Sequence, residues 1–243
     1  MKPSTVATLL TLSIAGIVPA SADCPPPNPD WANLGAYRAK NAELLERAGT
    51  ARRVVFMGDS ITEYWRTEAT PLADMPGFVN RGISGQTTPQ MLVRFRADVI
   101  DLAPRVVVIL GGTNDLAGNT GPTTLAAIEA NIASMAELAS AHRIRVVLAS
   151  VLPAAGYDWA PEIKPAQDIL ALNRWLRSYA SQHGHGYIDF HSAMADATLG
   201  LSKAYSDDGV HPTAVGYALM NRLVAQALHA SPARPMSTAA GQQ

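Results

Sequence analysis

Val54-Val55-Phe56-Met57-Gly58-Asp59-Ser60-Ile61 is the stretch that decides how this chain folds. Its four leading apolar residues read as a strand buried on both faces. Gly58-Asp59-Ser60 stops the run and sets a hydroxyl at the strand's carboxyl end. Ligand sites in open α/β sheets form outside that end. A serine there, with a helix beginning behind it, is a candidate nucleophile whose own N–H can face a developing anion. The same residues also fit a helix N-cap, because Ser, Thr and Asp favour that position and Glu63 lies three residues after Ser60.

Working outward, Asp30 opens an expected helix carrying Trp31, Leu34, Tyr37, Leu44 and Leu45 on one face and ending near Gly49. The first strand is expected over 52–57, a short second one over 78–80, and a glycine-bearing turn over 82–88. Pro89 suits the first turn of the next helix. There Met91, Leu92, Phe95, Val99 and Leu102 recur at helical spacing, with Arg94, Arg96 and Asp98 elsewhere around the barrel. Strands follow over 105–110, 145–151 and 187–190, alternating with helices over 123–141, 168–181 and 213–230. Apolar strands alternating with amphipathic helices imply a parallel sheet with helices on both faces.

The 243 residues suit one domain able to bury a core without disulfides or metals. A net charge of −1, with both signs mixed along the chain, argues against a nucleic-acid binder. Lys2, an uncharged apolar run over 6–18 and Ala20-Ser21-Ala22 form an expected signal peptide over 1–22, with Asp23 as the mature start. The run is short for a transmembrane helix, which needs about 20 apolar residues. Asp23 before Cys24 departs from a lipobox, so export without a stable membrane anchor is expected, to the periplasm or beyond. The single cysteine can form no internal disulfide. A Pro-rich linker with the N-terminal helix (23–52), a catalytic domain (53–230) and a disordered tail (231–243) complete the expected organisation.

Three loops fall where strands end, at 58–60, 82–88 and 111–115, and a fourth, 208–211, precedes the last helix. Together they offer a hydroxyl, glycine N–H groups, an amide, a carboxylate and an imidazole, the groups that acyl transfer needs. Four blocks carry a family likeness: Gly58-Asp59-Ser60-Ile61, Asn80-Arg81-Gly82-Ile83-Ser84-Gly85-Gln86-Thr87, Gly111-Gly112-Thr113-Asn114-Asp115 and Asp208-Gly209-Val210-His211-Pro212. In that order they resemble the GDSL/SGNH serine hydrolases, particularly the platelet-activating-factor acetylhydrolase-like and bacterial esterase or thioesterase branch.

The resemblance implies a three-layer α/β/α sandwich with a five-stranded parallel sheet in the flavodoxin-like order 2-1-3-4-5. It implies Ser60 as nucleophile, His211 as general base and Asp208 as the acid that orients the imidazole. It also implies an oxyanion hole made of the backbone N–H groups of Ser60 and Gly85 and the side-chain amide of Asn114. Gln86 departs from the Asp often found at that position in the family. The chemistry fits these residue types, since a serine hydroxyl attacks near neutral pH only when a base takes its proton.

Plainer readings stand beside these. His211 also fits a surface residue before a helix, Asp207 an alternative orienting acid, and Asn114 a turn residue bonding its own backbone. Asp59 and Asp115 read as loop-holding acceptors. His183 and His185 lack an acidic or cysteine cluster that would make them metal ligands. Tyr157 and Trp159 either line a cleft or cover the core.

The chain carries no Gly-x-Ser-x-Gly elbow and no Walker sequence. The expectation is an exported serine esterase for short-chain or acetyl esters, acetylated carbohydrates among them, needing no metal or organic cofactor and taking a small-molecule ester as its partner. The alternatives are a lysophospholipase or thioesterase with a longer acyl pocket, and a carbohydrate-binding relative without catalysis.

Overall fold

The computed structural model describes residues 30–46, 53–65 and 77–229. The expected signal peptide, Cys24 with its Pro-rich stretch, Gly49 and the 231–243 tail lie outside them. In chain order the elements are α1 (Arg38–Glu46), β1 (Val54–Gly58), α2 (Ser60–Tyr64), β2 (Phe78–Gly82), α3 (Thr88–Phe95), β3 (Val106–Leu110) and α4 (Thr113–Leu116). There follow α5 (Leu125–Ala141), β4 (Arg145–Ala149), α6 (Ala166–His183), β5 (Gly186–Ile188), α7 (Phe190–Met194) and α8 (Ala214–His229). The five strands are parallel and ordered β2-β1-β3-β4-β5, the expected 2-1-3-4-5 arrangement.

Side chains alternate across a strand, so each face of the sheet has its own core. Val55, Met57, Val107, Ile109, Val146 and Leu148 pack with Met91, Phe95, Ile128, Ile132, Ile169 and Leu172 of α3, α5 and α6. On the other face Val54, Phe56, Val106, Val108 and Val147 pack with Ile61 of α2, Trp65 just after it, Phe190 of α7, and Tyr217 and Met220 of α8. Burial on both faces is why these strands read as continuous apolar runs.

The register places the site. Gly58, the last residue of β1, pairs with Gly82 of β2 and Leu110 of β3, so the loops after these strands leave the sheet at one level. Gly58 tolerates no side chain there: a Cβ would lie 2.0 Å from Thr62 Oγ1 and 2.7 Å from the Leu110 carbonyl oxygen.

The structure departs from the expectations at four points. The N-terminal helix begins at Arg38 rather than at Asp30, whose carboxylate instead holds a turn by accepting from Leu34 N–H (2.6 Å) and Gly35 N–H (3.0 Å). Its supposed apolar face is not buried as a face: Trp31, Leu34 and Leu45 are exposed, while Tyr37 and Asn41 point inward. Arg94 and Asp98, which periodicity set off the apolar face, are buried as well, because α1 covers the π-helical turn Arg96–Ile100 that prolongs α3. Phe190 belongs to α7 and not to the last strand, because Asp189 caps that helix by accepting from Ser192 N–H.

These polar residues join across the fold. Arg94 donates to Asp98 Oδ2 (3.0 Å), Gln86 Oε1 (2.5 Å) and the Gly58 carbonyl (2.9 Å). Asn41 donates to Asp98 Oδ1 and accepts from Arg81, whose guanidinium lies over the Tyr37 ring. Tyr37 Oη donates to the Gly82 carbonyl, and Gln86 Nε2 to the Ala32 carbonyl. The segment 30–46 is thereby part of the packing behind the site.

Candidate active site

Asp59 caps α2, its carboxylate accepting from Ile61 N–H at 3.0 Å, which makes Ser60 the first helical residue and not the cap. Glu63 completes no capping box with Ser60. It reaches across to accept from Ser84 N–H (2.8 Å) and Ser84 Oγ (2.7 Å) in the loop after β2. Helix α2 is held against the domain by Tyr217 Oη, which donates to the Ile61 carbonyl, and by Trp65 Nε1, which donates to Asn221 Oδ1. Ser60 is thus rigidly mounted, 7% exposed, at the mouth of β1.

Ser60 Oγ lies 2.9 Å from His211 Nε2, and His211 Nδ1 lies 2.7 Å from Asp208 Oδ2. Asp208, not Asp207, makes this contact. Its other oxygen accepts from the N–H groups of Val210 (2.9 Å) and His211 (2.7 Å), so one short turn, with Gly209 at φ +78°, aims carboxylate and imidazole together. Partial burial pushes the Asp208 pKa up, but the His211 N–H, the His211 ring and the Val210 N–H outweigh it and hold the group at about 2. Tyr64 packs on the His211 ring, centroids 5.3 Å apart. Ser206 also braces the turn. Its buried hydroxyl accepts from Gly209 N–H and contacts the His211 carbonyl at 2.8 Å.

The other predicted residues come from neighbouring loops. Gly85 stands at φ +76°, a conformation that favours glycine. Asn114, buried at the start of α4, donates from Nδ2 to the Gln86 carbonyl at 3.0 Å. The backbone N–H groups of Ser60 and Gly85 have no hydrogen-bond partner among the described residues.

Asp115 accepts from Thr88 N–H and Thr88 Oγ1, tying the loop after β3 to the head of α3; burial pushes its pKa up. Asp59 is pushed by burial to about 7. Tyr157 takes both roles open to it, packing in the core and lining a cleft beside Asp208. Tyr157 is buried, its hydroxyl 2.9 Å from Thr113 Oγ1 and its pKa raised by burial to about 12. Trp159 is 48% exposed. His183 stacks on Tyr179, and among the described residues no group of three or more His, Cys, Asp and Glu is placed to hold a metal ion.

Arg94, Ser206 and Asn119 were not legible as site residues in the sequence. Asn119, five residues after Asn114 in a polar loop, gave no motif of its own. Two open clefts flank Asp208. One, of about 480 Å³, includes Asp158, Lys164, Lys203 and Asp207 in its lining, and the other, of about 500 Å³, includes Tyr64, His211 and Thr213.

The model of the GDSL-like lipase/acylhydrolase family matches residues 56–219, from β1 into α8. The chain belongs to the GDSL-like lipase/acylhydrolase family. Like other GDSL acylhydrolases it is a carboxylic ester hydrolase. It is 29% identical over 182 residues to esterase TesA of Pseudomonas aeruginosa, covering 70% of this chain and 84% of that one. A GDSL-like lipase of Bacteroides thetaiotaomicron is 45% identical with a TM-score of 0.78, covering 81% of this chain and 97% of its own. The acetylxylan esterase Axe2 of Geobacillus stearothermophilus shares the GDSL fold at 21% identity and a TM-score of 0.60, over 76% of this chain and 98% of Axe2.

Proposed function

We propose that this chain is an exported serine esterase that removes acetyl or other short acyl groups from polar alcohols, acetylated carbohydrates among them. The observation that carries the reading is the hydrogen-bonded line from Ser60 Oγ through the His211 ring to Asp208.

Ser60 Oγ attacks the ester carbonyl carbon while His211 Nε2 takes its proton. Asp208 holds the imidazole in the required tautomer and stabilises its charged form. The N–H groups of Ser60 and Gly85 and the second N–H of Asn114 receive the negative charge that builds on the carbonyl oxygen. Collapse of the tetrahedral intermediate breaks the bond to the alcohol oxygen, which leaves with the proton from His211. A water molecule, deprotonated by the same imidazole, then releases the acid and restores Ser60.

The carbohydrate part of the reading draws on the cleft beside Asp208, where Asp158, Lys164, Lys203 and Asp207 offer partners for sugar hydroxyls alongside the apolar Tyr157 and Leu201. The acetylxylan esterase activity of the fold neighbour Axe2 is compatible with this substrate class. Export rests on the composition of residues 1–22, with cleavage after Ala22 giving Asp23 as the mature start.

The test is burst release from p-nitrophenyl acetate, abolished by Ser60→Ala, followed by a series from acetyl to palmitoyl esters with acetylated sugars included. An unchanged rate in the variant would overturn Ser60 as nucleophile. Preference for long chains would replace the acetyl reading with the lysophospholipase or thioesterase one.

A further inference from the structure

Asn119 is exposed, yet its side chain is fully engaged. Nδ2 donates to the Gly85 carbonyl (3.2 Å) and to Asn114 Oδ1 (3.0 Å), while Oδ1 accepts from Trp159 Nε1 (3.1 Å). One amide therefore joins the two loops proposed to stabilise the oxyanion, and an indole from a third loop holds that amide.

The chemistry of the partners gives this chain a direction. An indole N–H can only donate, and a carbonyl oxygen can only accept. The atom of Asn119 facing Trp159 must then be its oxygen, and the atom facing the Gly85 carbonyl its nitrogen. With both hydrogens of that nitrogen spoken for, the atom of Asn114 that faces Asn119 is an oxygen. Asn114 accordingly turns its nitrogen toward the Gln86 carbonyl, which likewise can only accept, so both partners favour the orientation that leaves its second N–H for substrate. A flipped Asn114 would present an acceptor to the developing anion.

We infer that Asn119, oriented by Trp159, is a positioning residue that sets the polarity of the oxyanion hole through Asn114. The inference rests on the esterase reading above. Asn119 touches no reacting atom in this role. Trp159 sits on the ring of Tyr157, centroids 5.0 Å apart, so its N–H is held in place rather than free to swing.

The experiment is steady-state kinetics of the full chain with p-nitrophenyl acetate, using Asn119→Ala, Asn119→Asp, Trp159→Phe, Asn114→Ala and the double variant N114A/N119A. Loss of one oxyanion donor lowers kcat by about 10²- to 10³-fold, so misorienting one is expected to lower it by roughly 10- to 100-fold. That loss should come in the Asn119 variants with KM nearly unchanged and only a small fall in Tm, because two of the three hydrogen bonds that Asn119 makes are exposed to solvent. Trp159→Phe, which keeps the ring and removes the donor, should lose roughly three- to tenfold.

The double variant should be no slower than Asn114→Ala alone, since a residue acting through Asn114 has nothing left to position. A kcat for Asn119→Ala within about twofold of the parent, or a double variant slowed by the product of the single losses, overturns the inference. Ser60→Ala separates the two readings: if it abolishes the rate while the Asn119 variants keep theirs, only the positioning role fails.

Discussion

Arg94 in α3 donates to the carbonyl of Gly58, two residues before Ser60, at 2.9 Å from a fully buried guanidinium. The same group pairs with Asp98 and Gln86, so it ties the end of β1 to the loop that carries Gly85. Burial lowers its pKa, with Asp98 opposing that shift. A charge so placed is tolerated because every face of its fork has an acceptor.

Arg94→Met removes that fork and leaves Asp98 buried without its cation. The expected loss is about 3–5 kcal/mol of unfolding free energy, the range seen when one partner of a buried pair is deleted. Arg94→Lys should recover only part of it, because an ammonium cannot reproduce three contacts in a plane. Urea unfolding of the three proteins checks this; equal midpoints would show that Arg94 does not brace the site.

Asp208→Asn keeps the shape of the turn but removes the charge that favours imidazolium. Activity on p-nitrophenyl acetate should fall by about three to four orders of magnitude. The carboxylate also affects stability. Its folded pKa of about 2 lies below the ordinary 3.8, so its contribution is present above pH 3.8 and is lost as pH falls through 2. Being half exposed, it contributes modestly. Thermal melts should show the variant slightly less stable at pH 7, with the gap closing toward pH 2. A gap that stays constant with pH would contradict the linkage.

Asp59 has the opposite sign. Its folded pKa of about 7 lies above the ordinary 3.8, because burial disfavours the charge. The native state then holds a proton that the unfolded chain releases, and stability declines as pH rises from about 4 to about 7. Asp59→Asn, which still offers an oxygen to the Ile61 N–H, should raise Tm relative to the parent at pH 8 and by much less at pH 4. The same Tm difference at both values would mean that Asp59 does not titrate in this window.

Much of the architecture was legible from local pattern alone. Strands such as Val106–Leu110 are apolar throughout because both faces are covered, and that property is written residue by residue. Helices α5 and α6 announced themselves by apolar spacing. The N-terminal segment misled for the converse reason. Trp31, Leu34 and Leu45 have helical spacing but are exposed, and among the described residues hydrogen bonds through Tyr37, Asn41 and Ala32 anchor the segment.

The same division holds at the site. Asp208 and His211 lie within one turn, and Ser60 opens a helix beside its own cap, so their residue types and short spacings could be read directly from Gly58-Asp59-Ser60 and Asp208-Gly209-Val210-His211. What the chain alone could not disclose was which polar residues brace them. Arg94 reaches Gly58 across 36 positions, and Trp159 reaches Asn119 across 40. Hydrogen bonds of that kind depend on distances set only after the sheet has paired and the helices have packed on it. Sequence determined the strands and the candidate reacting groups, because burial and turn chemistry are local, while the strand order came from the family resemblance. The tertiary structure alone decided how those groups are held, because a buried guanidinium or an oriented amide is specified by partners far away in the chain.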